Sequence, residues 1–129
     1  MKKEQAKKVV LIVDDDADLR RQMSAALEKR YGVVQAASGA ECLSALAGLT
    51  PDCIVMDVMM DDVADGLETA KTVRDTPATS RIPIILLTSV NKSYDYRTQV
   101  PIDYYPHDKW LDKPVKGEQL LAEVDALIG

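Results

Sequence analysis

Val9-Val10-Leu11-Ile12-Val13 is an unbroken run of five apolar residues that stops against Asp14-Asp15-Asp16. A continuous, β-branched run of this length suits a strand covered on both faces, as in parallel sheets. Parallel strands need crossovers, and the sequence supplies amphipathic stretches between its apolar runs. Leu19, Met23, Ala26 and Leu27 recur at the spacing of a helix face, with Asp16 suited to the N-cap and Gly32 to the stop. Val33 to Ala37 reads as a second strand. Ser38 then caps a helix carrying Leu43, Leu46 and Ala47, which ends near Gly48. Asp52 to Asp57 is a third strand, Val58 to Gly66 a loop, and Leu67 to Asp75 a third helix. Ile82 to Thr88 is a fourth strand, its early Pro83 tolerable only near a strand's beginning. Trp110-Leu111-Asp112 makes a short fifth strand closed by Lys113-Pro114, and Leu120, Val124, Leu127 and Ile128 face the last helix inward. Five rounds of strand and helix predict a three-layer, doubly wound α/β domain with a five-stranded parallel sheet.

The 129 residues fit one domain, read as 1–129 with its core at 9–127, and 47% apolar residues are enough for one core. Sixteen Lys and Arg against twenty-one Asp and Glu leave a net charge of −5. That balance argues against direct binding of nucleic acid or an anionic membrane, and suits a protein that gathers a cation. The charged start, Met1 to Lys8, leads into an apolar run too short for a secretory signal or a span of about 20 residues. Cys42 and Cys53 lack zinc spacing and read as free buried thiols in a reducing, cytoplasmic setting.

In an open parallel sheet, ligands bind beyond the carboxyl ends of the strands, where strand order reverses. The first strand delivers Asp14 and Asp15 to that edge, the third Asp57, the fourth Thr88 and the fifth Lys113. Three close carboxylates repel one another unless a cation neutralises them. Mg²⁺ suits such a hard oxygen set, because it keeps several waters and shares itself with a phosphate. A carboxylate can also attack phosphorus to give an acyl phosphate, and a hydroxyl and an ammonium can take the charge that phosphoryl transfer spreads. Taken singly, each residue has a bland alternative: a solvated helix start for Asp14 to Asp16, a strand-end acid for Asp57, a turn hydroxyl for Thr88. Asp61, Asp62 and Asp65 read as solvated loop acids.

Together, Val13-Asp14-Asp15, Met56-Asp57-Val58-Met59-Met60, Leu87-Thr88-Ser89 and Lys113-Pro114 resemble the receiver domains of two-component response regulators, including the stand-alone chemotaxis type. The resemblance spans about Val9 to Leu127 and implies a flavodoxin-like fold. It implies that Asp57 accepts a phosphoryl group from a sensor histidine kinase or phosphotransfer protein. It implies Mg²⁺ held by Asp15 directly, by Asp14 through water, by Asp57 and by the Met59 carbonyl. Lys113 would pair with the phosphoryl group, aimed at the site by a Lys113–Pro114 peptide that is cis in the family. Thr88 would hydrogen-bond the phosphoryl group and draw the next loop inward, changing the 89–110 surface for a downstream protein partner.

Three departures from that family pattern stand out. Asp61 occupies a position usually given to proline, and the route to Asp65-Gly66 is one residue longer. Residues 91 to 109 lack the usual small-residue turn and, with Trp110, hold Tyr94, Tyr96, Tyr104 and Tyr105, predicting a shortened or irregular fourth helix and an ordered loop. These aromatics suit either a partner-binding surface or packing over the sheet edge. Trp110 stands where the family has a Tyr or Phe switch, and its bulk predicts little movement. His107 has no nearby nucleophile, which argues against a general-base role. Met59 and Val90, at positions that tune acyl-phosphate lifetime, are apolar and predict slow self-dephosphorylation.

Two other functions compete. A haloacid-dehalogenase-like phosphatase would use Asp14 as nucleophile with Asp16, Thr88 and Lys113, but it leaves Asp57 unexplained and expects another residue at Asp18. A phosphorylation-independent pseudo-receiver would only bind a partner. The chain closes soon after its last helix, so an output through protein contact or onward phosphorelay is expected if it is complete.

Overall fold

A computed structural model describes residues 7–57, 63–89 and 108–129. In chain order the elements are β1 (Val9–Val13), α1 (Ala17–Leu27), β2 (Gly32–Ala36), α2 (Gly39–Leu46), β3 (Cys53–Asp57), α3 (Val63–Asp75), β4 (Ile84–Ser89), β5 (Lys109–Lys113) and α4 (Gly117–Ile128). All strand pairs are parallel, in the order β2-β1-β3-β4-β5. The order reverses between β1 and β3, so the carboxyl ends of these two strands flank the crevice.

The unbroken apolar runs exist because each strand feeds two cores. Leu11, Val13, Ile54, Met56, Ile84 and Leu86 point to one side, where Cys42, Ala70 and Val73 of α2 and α3 close over them. Val10, Ile12, Val55, Ile85, Leu87 and Leu111 point to the other, against Met23 and Leu27 of α1 and Leu120, Leu121 and Val124 of α4. Each fully buried aliphatic side chain contributes about 1.5–3 kcal/mol through its removal from water. Both cysteines are free and buried, and burial pushes the Cys53 thiol up to about 12, with Asp108 and Asp52 adding to it.

Local chemistry sets the element boundaries. Asp16 caps α1 by accepting from the backbone N–H groups of Asp18 and Leu19. Ser38 Oγ accepts from Glu41 N at 3.1 Å, while Glu41 Oε1 accepts from Ala37 N at 2.7 Å, locking the start of α2 from both sides. Asp52 fixes the register of β3 on β1 by donating its N–H to Val9 O and accepting from Val9 N.

Several boundaries differ from the sequence reading. α3 begins at Val63, so Gly66 lies inside the helix rather than in the loop before it; a glycine costs a helix about 1 kcal/mol but does not forbid one. β4 begins after Pro83, whose carbonyl accepts from Ile54 N, and β5 extends one residue beyond the expected strand at each end. Leu43 is exposed, because the buried stripe of α2 runs through Gly39 and Cys42. Of the segment 91–109, expected to hold an irregular fourth helix and an ordered loop, residues 91–107, with the four tyrosines and His107, lie outside the described residues, as do Met59, Asp61, Asp62 and Val90. Among the described residues, no helix is long and apolar enough to cross a membrane.

Candidate functional site

Beyond the ends of β1 and β3 the chain brings Asp14, Asp15 and Asp57 together, with one carboxylate oxygen from each within 4.8 Å of the others. Asp57 is the last residue of β3 and only 1% exposed. Asp14 follows β1 and is fully buried, while Asp15 is exposed at the mouth. Lys113, ending β5, reaches across to both buried acids: its Nζ stands 3.1 Å from Asp14 Oδ2 and 3.2 Å from Asp57 Oδ1. Burial alone would push the Lys113 ammonium down, but the Asp57 and Asp14 carboxylates outweigh it and hold its pKa above the ordinary lysine value. It therefore stays charged across neutral pH. Removing it would leave two buried carboxylates facing one another, a loss of about 3–5 kcal/mol for a broken buried pair.

Asp14 is held on every side. Its N–H donates to Ala36 O at 3.1 Å, extending the β1–β2 ladder by one residue. Its Oδ1 accepts from Asp16 N at 2.9 Å, and its carbonyl accepts from Arg20 Nη1 at 2.7 Å. Arg20 was not singled out by sequence; its partner is a main-chain oxygen, and a backbone acceptor leaves no composition signal.

The donor chemistry fits a hard divalent cation. Among the described residues, three carboxylates converge with one ammonium, Lys113, between the two buried ones, and all the donor atoms of the acidic trio are oxygen. The structure thus gathers Asp14, Asp15, Asp57 and Lys113 as the strand-end pattern predicts. Thr88 lies in β4 opposite Asp112, and Ser89 opposite Lys113, so the backbone brings Thr88 to the same edge. Met59 lies outside the described residues. Trp110 is partly buried opposite Leu86 and packs against the core cluster shared with α2 and α3. Asp16 does not join the acids: its side chain is committed to capping α1, which removes the second carboxylate the phosphatase reading requires.

The family profile "Response regulator receiver domain" matches residues 10–125. Among curated proteins, the chain is 34% identical over 120 residues to response regulator MprA of Mycobacterium sp. (strain KMS), covering 92% of this chain and 50% of that protein. It is 32% identical over 118 residues to hybrid signal transduction histidine kinase D of Dictyostelium discoideum, covering 92% of this chain and 7% of that protein. The chain thus spans half or less of the length of these relatives. Among solved structures, the chemotaxis response regulator CheY4 of Vibrio cholerae superposes with a TM-score of 0.82 at 29% identity, covering 95% of this chain and 100% of that one.

Proposed function

Because this chain belongs to the response regulator receiver domain family, we propose that it is a two-component signalling switch in which Asp57 is the phosphoacceptor. One observation carries the assignment: a single ammonium, Lys113, bridges the two buried carboxylates beside the strand-order reversal.

In this reading an Asp57 carboxylate oxygen attacks the phosphorus of a phosphohistidine on a histidine kinase or phosphotransfer protein. The O–P bond forms as the P–N bond breaks, and the leaving imidazole nitrogen takes up a proton. Lys113, already within hydrogen-bond reach of Asp57, moves its positive charge onto the new phosphoryl oxygens. Asp15 and Asp57 would hold Mg²⁺ directly, Asp14 through water, with the Met59 carbonyl completing the protein's share. When bound, Mg²⁺ would offset the acids' charge and share the phosphoryl oxygens. Thr88 would hydrogen-bond the phosphoryl group and pull the chain after β4 inward, altering the 89–110 surface for a downstream protein. The whole of 1–129 is taken as one such domain, acting as a switch rather than a turnover enzyme, in the cytoplasm, with slow self-dephosphorylation.

Intact-mass analysis after incubation with acetyl phosphate tests the assignment. One added phosphoryl group is expected, requiring Mg²⁺ and disappearing in Asp57→Asn. Absence of any adduct in the wild type would overturn it in favour of a binding-only domain. Phosphate release that survives Asp57→Asn but not Asp14→Asn would overturn it in favour of a phosphatase.

A further inference from the structure

Arg20 ties together three pieces of chain around the acids. Its backbone N–H donates to Asp16 O at 3.0 Å as part of the first turn of α1. Its guanidinium Nη1 donates to Asp14 O at 2.7 Å, and its Nε donates to Gln35 Oε1 in β2 at 3.2 Å. One planar fork therefore clamps the acidic loop 14–16 between its own helix and the edge strand. The carbonyl it grips belongs to the Asp14–Asp15 peptide. That unit is planar, so fixing the oxygen fixes the direction in which the Asp15 Cα leaves it. Asp15 is the exposed member of the trio, standing on a loop rather than at the end of a buried strand.

We propose that Arg20 is a positioning residue for the divalent-cation site: it acts through the Asp14 carbonyl to aim the Asp15 carboxylate at Asp14 and Asp57. The inference rests on the reading of these three acids as the Mg²⁺-holding set. Groups that orient metal ligands without touching the metal commonly contribute about 10–100-fold to affinity. The sign of the effect separates positioning from plain charge. A guanidinium close to a cation site repels the cation, so on Coulomb grounds alone its removal tightens binding. Positioning predicts the reverse.

The experiment is Mg²⁺ titration by calorimetry of the wild type, Arg20→Ala, Arg20→Lys and Gln35→Ala, with melting temperatures recorded in EDTA. Arg20→Ala is expected to bind Mg²⁺ about 10-fold more weakly. Arg20→Lys should recover only part of that loss, because an ammonium keeps the charge but cannot span Asp14 O and Gln35 Oε1 as a fork. Gln35→Ala changes an exposed side chain, leaves the acids and Arg20 in place, and should weaken Mg²⁺ binding by a smaller factor. Acetyl phosphate labelling of Arg20→Ala should return to the wild-type rate at saturating Mg²⁺, placing the defect in affinity rather than in transfer. Equal or tighter binding by Arg20→Ala, or full recovery by Arg20→Lys, would overturn the proposal. Should Arg20→Ala fail to fold, unchanged affinity in Gln35→Ala together with wild-type affinity in Arg20→Lys would overturn it equally. No Mg²⁺ binding by the wild type would instead remove the reading of the acidic trio beneath it.

Discussion

The Tyr31 hydroxyl donates to Asp125 Oδ1 at 2.5 Å, and Arg30 Nη2 holds the other carboxylate oxygen at 2.7 Å. Burial first, and the Asp125 carboxylate second, push the Tyr31 phenol up to about 12. Alkaline ultraviolet titration should therefore show a tyrosinate step near 12 that Asp125→Asn moves down; ionisation of every tyrosine near 10 would contradict this. Between about 10 and about 12 the unfolded chain loses this proton while the folded one keeps it. Stability should thus fall with rising pH across that window. Met59 carries a second prediction at this scale. An asparagine there could orient water toward an acyl phosphate, so Met59→Asn should hydrolyse severalfold faster, and an unchanged rate would contradict the reading. Asp14, Asp57 and Lys113 were legible because each closes a strand, and strands announce themselves. Arg20 and Asp108 were not. Asp108 works through Arg74 Nη2 and Ile84 N, both at 2.8 Å and both distant in sequence, and pairing of that kind leaves no local pattern.

Between elements, a close approach lies where α4 begins. A Cβ built on Gly117 would sit 2.6 Å from Ala26 Cβ on α1, and neither atom can swing aside. Alanine is the better helix former by about 1 kcal/mol, yet overpacking a contact of this kind costs about 1–3 kcal/mol. Gly117→Ala is therefore expected to lower stability in urea unfolding, with Ala26→Gly restoring part of it; a gain would mean the helices part freely. Trp110 belongs to the same scale. It is packed against the α2–α3 core, and its rotamer should match in free and beryllofluoride-bound crystals; an outward-to-inward flip would contradict the expectation. Element types were readable from period and caps, as with Asp16 and Ser38. Edges were less so: Gly66 suggested a break where α3 continues, and Leu43 suggested burial where Cys42 took the inward place.

For the molecule as a whole, the acidic crevice sets stability against cation binding. Without a divalent cation, Asp15 adds a third negative charge within 4.8 Å of two others. Asp15→Asn should therefore be the more stable protein in EDTA, by about 1 kcal/mol or less for so exposed a group, and should melt at a higher temperature. Mg²⁺ should raise the wild-type melting temperature through preferential binding to the folded state, and that rise should shrink in Asp15→Asn. A variant less stable in EDTA, or one that keeps the full Mg²⁺ response, would contradict both. The layered architecture was readable because short, β-branched apolar runs alternating with amphipathic stretches suit strands hidden on both faces, and right-handed crossovers then place helices on both sides of a parallel sheet. The order β2-β1-β3-β4-β5 was legible only through the family resemblance.

That hiding on both faces has a further consequence. The sheet is a wall one residue thick, and alternate residues of β3 enter rooms that do not communicate: Ile54 and Met56 on one side, Cys53 and Val55 on the other. Packing errors in separate rooms share no neighbours, so their energetic effects add, while two in the same room interact. The domain thus has two interiors that can be refitted one at a time, with the acidic crevice at the end of the wall bordering both.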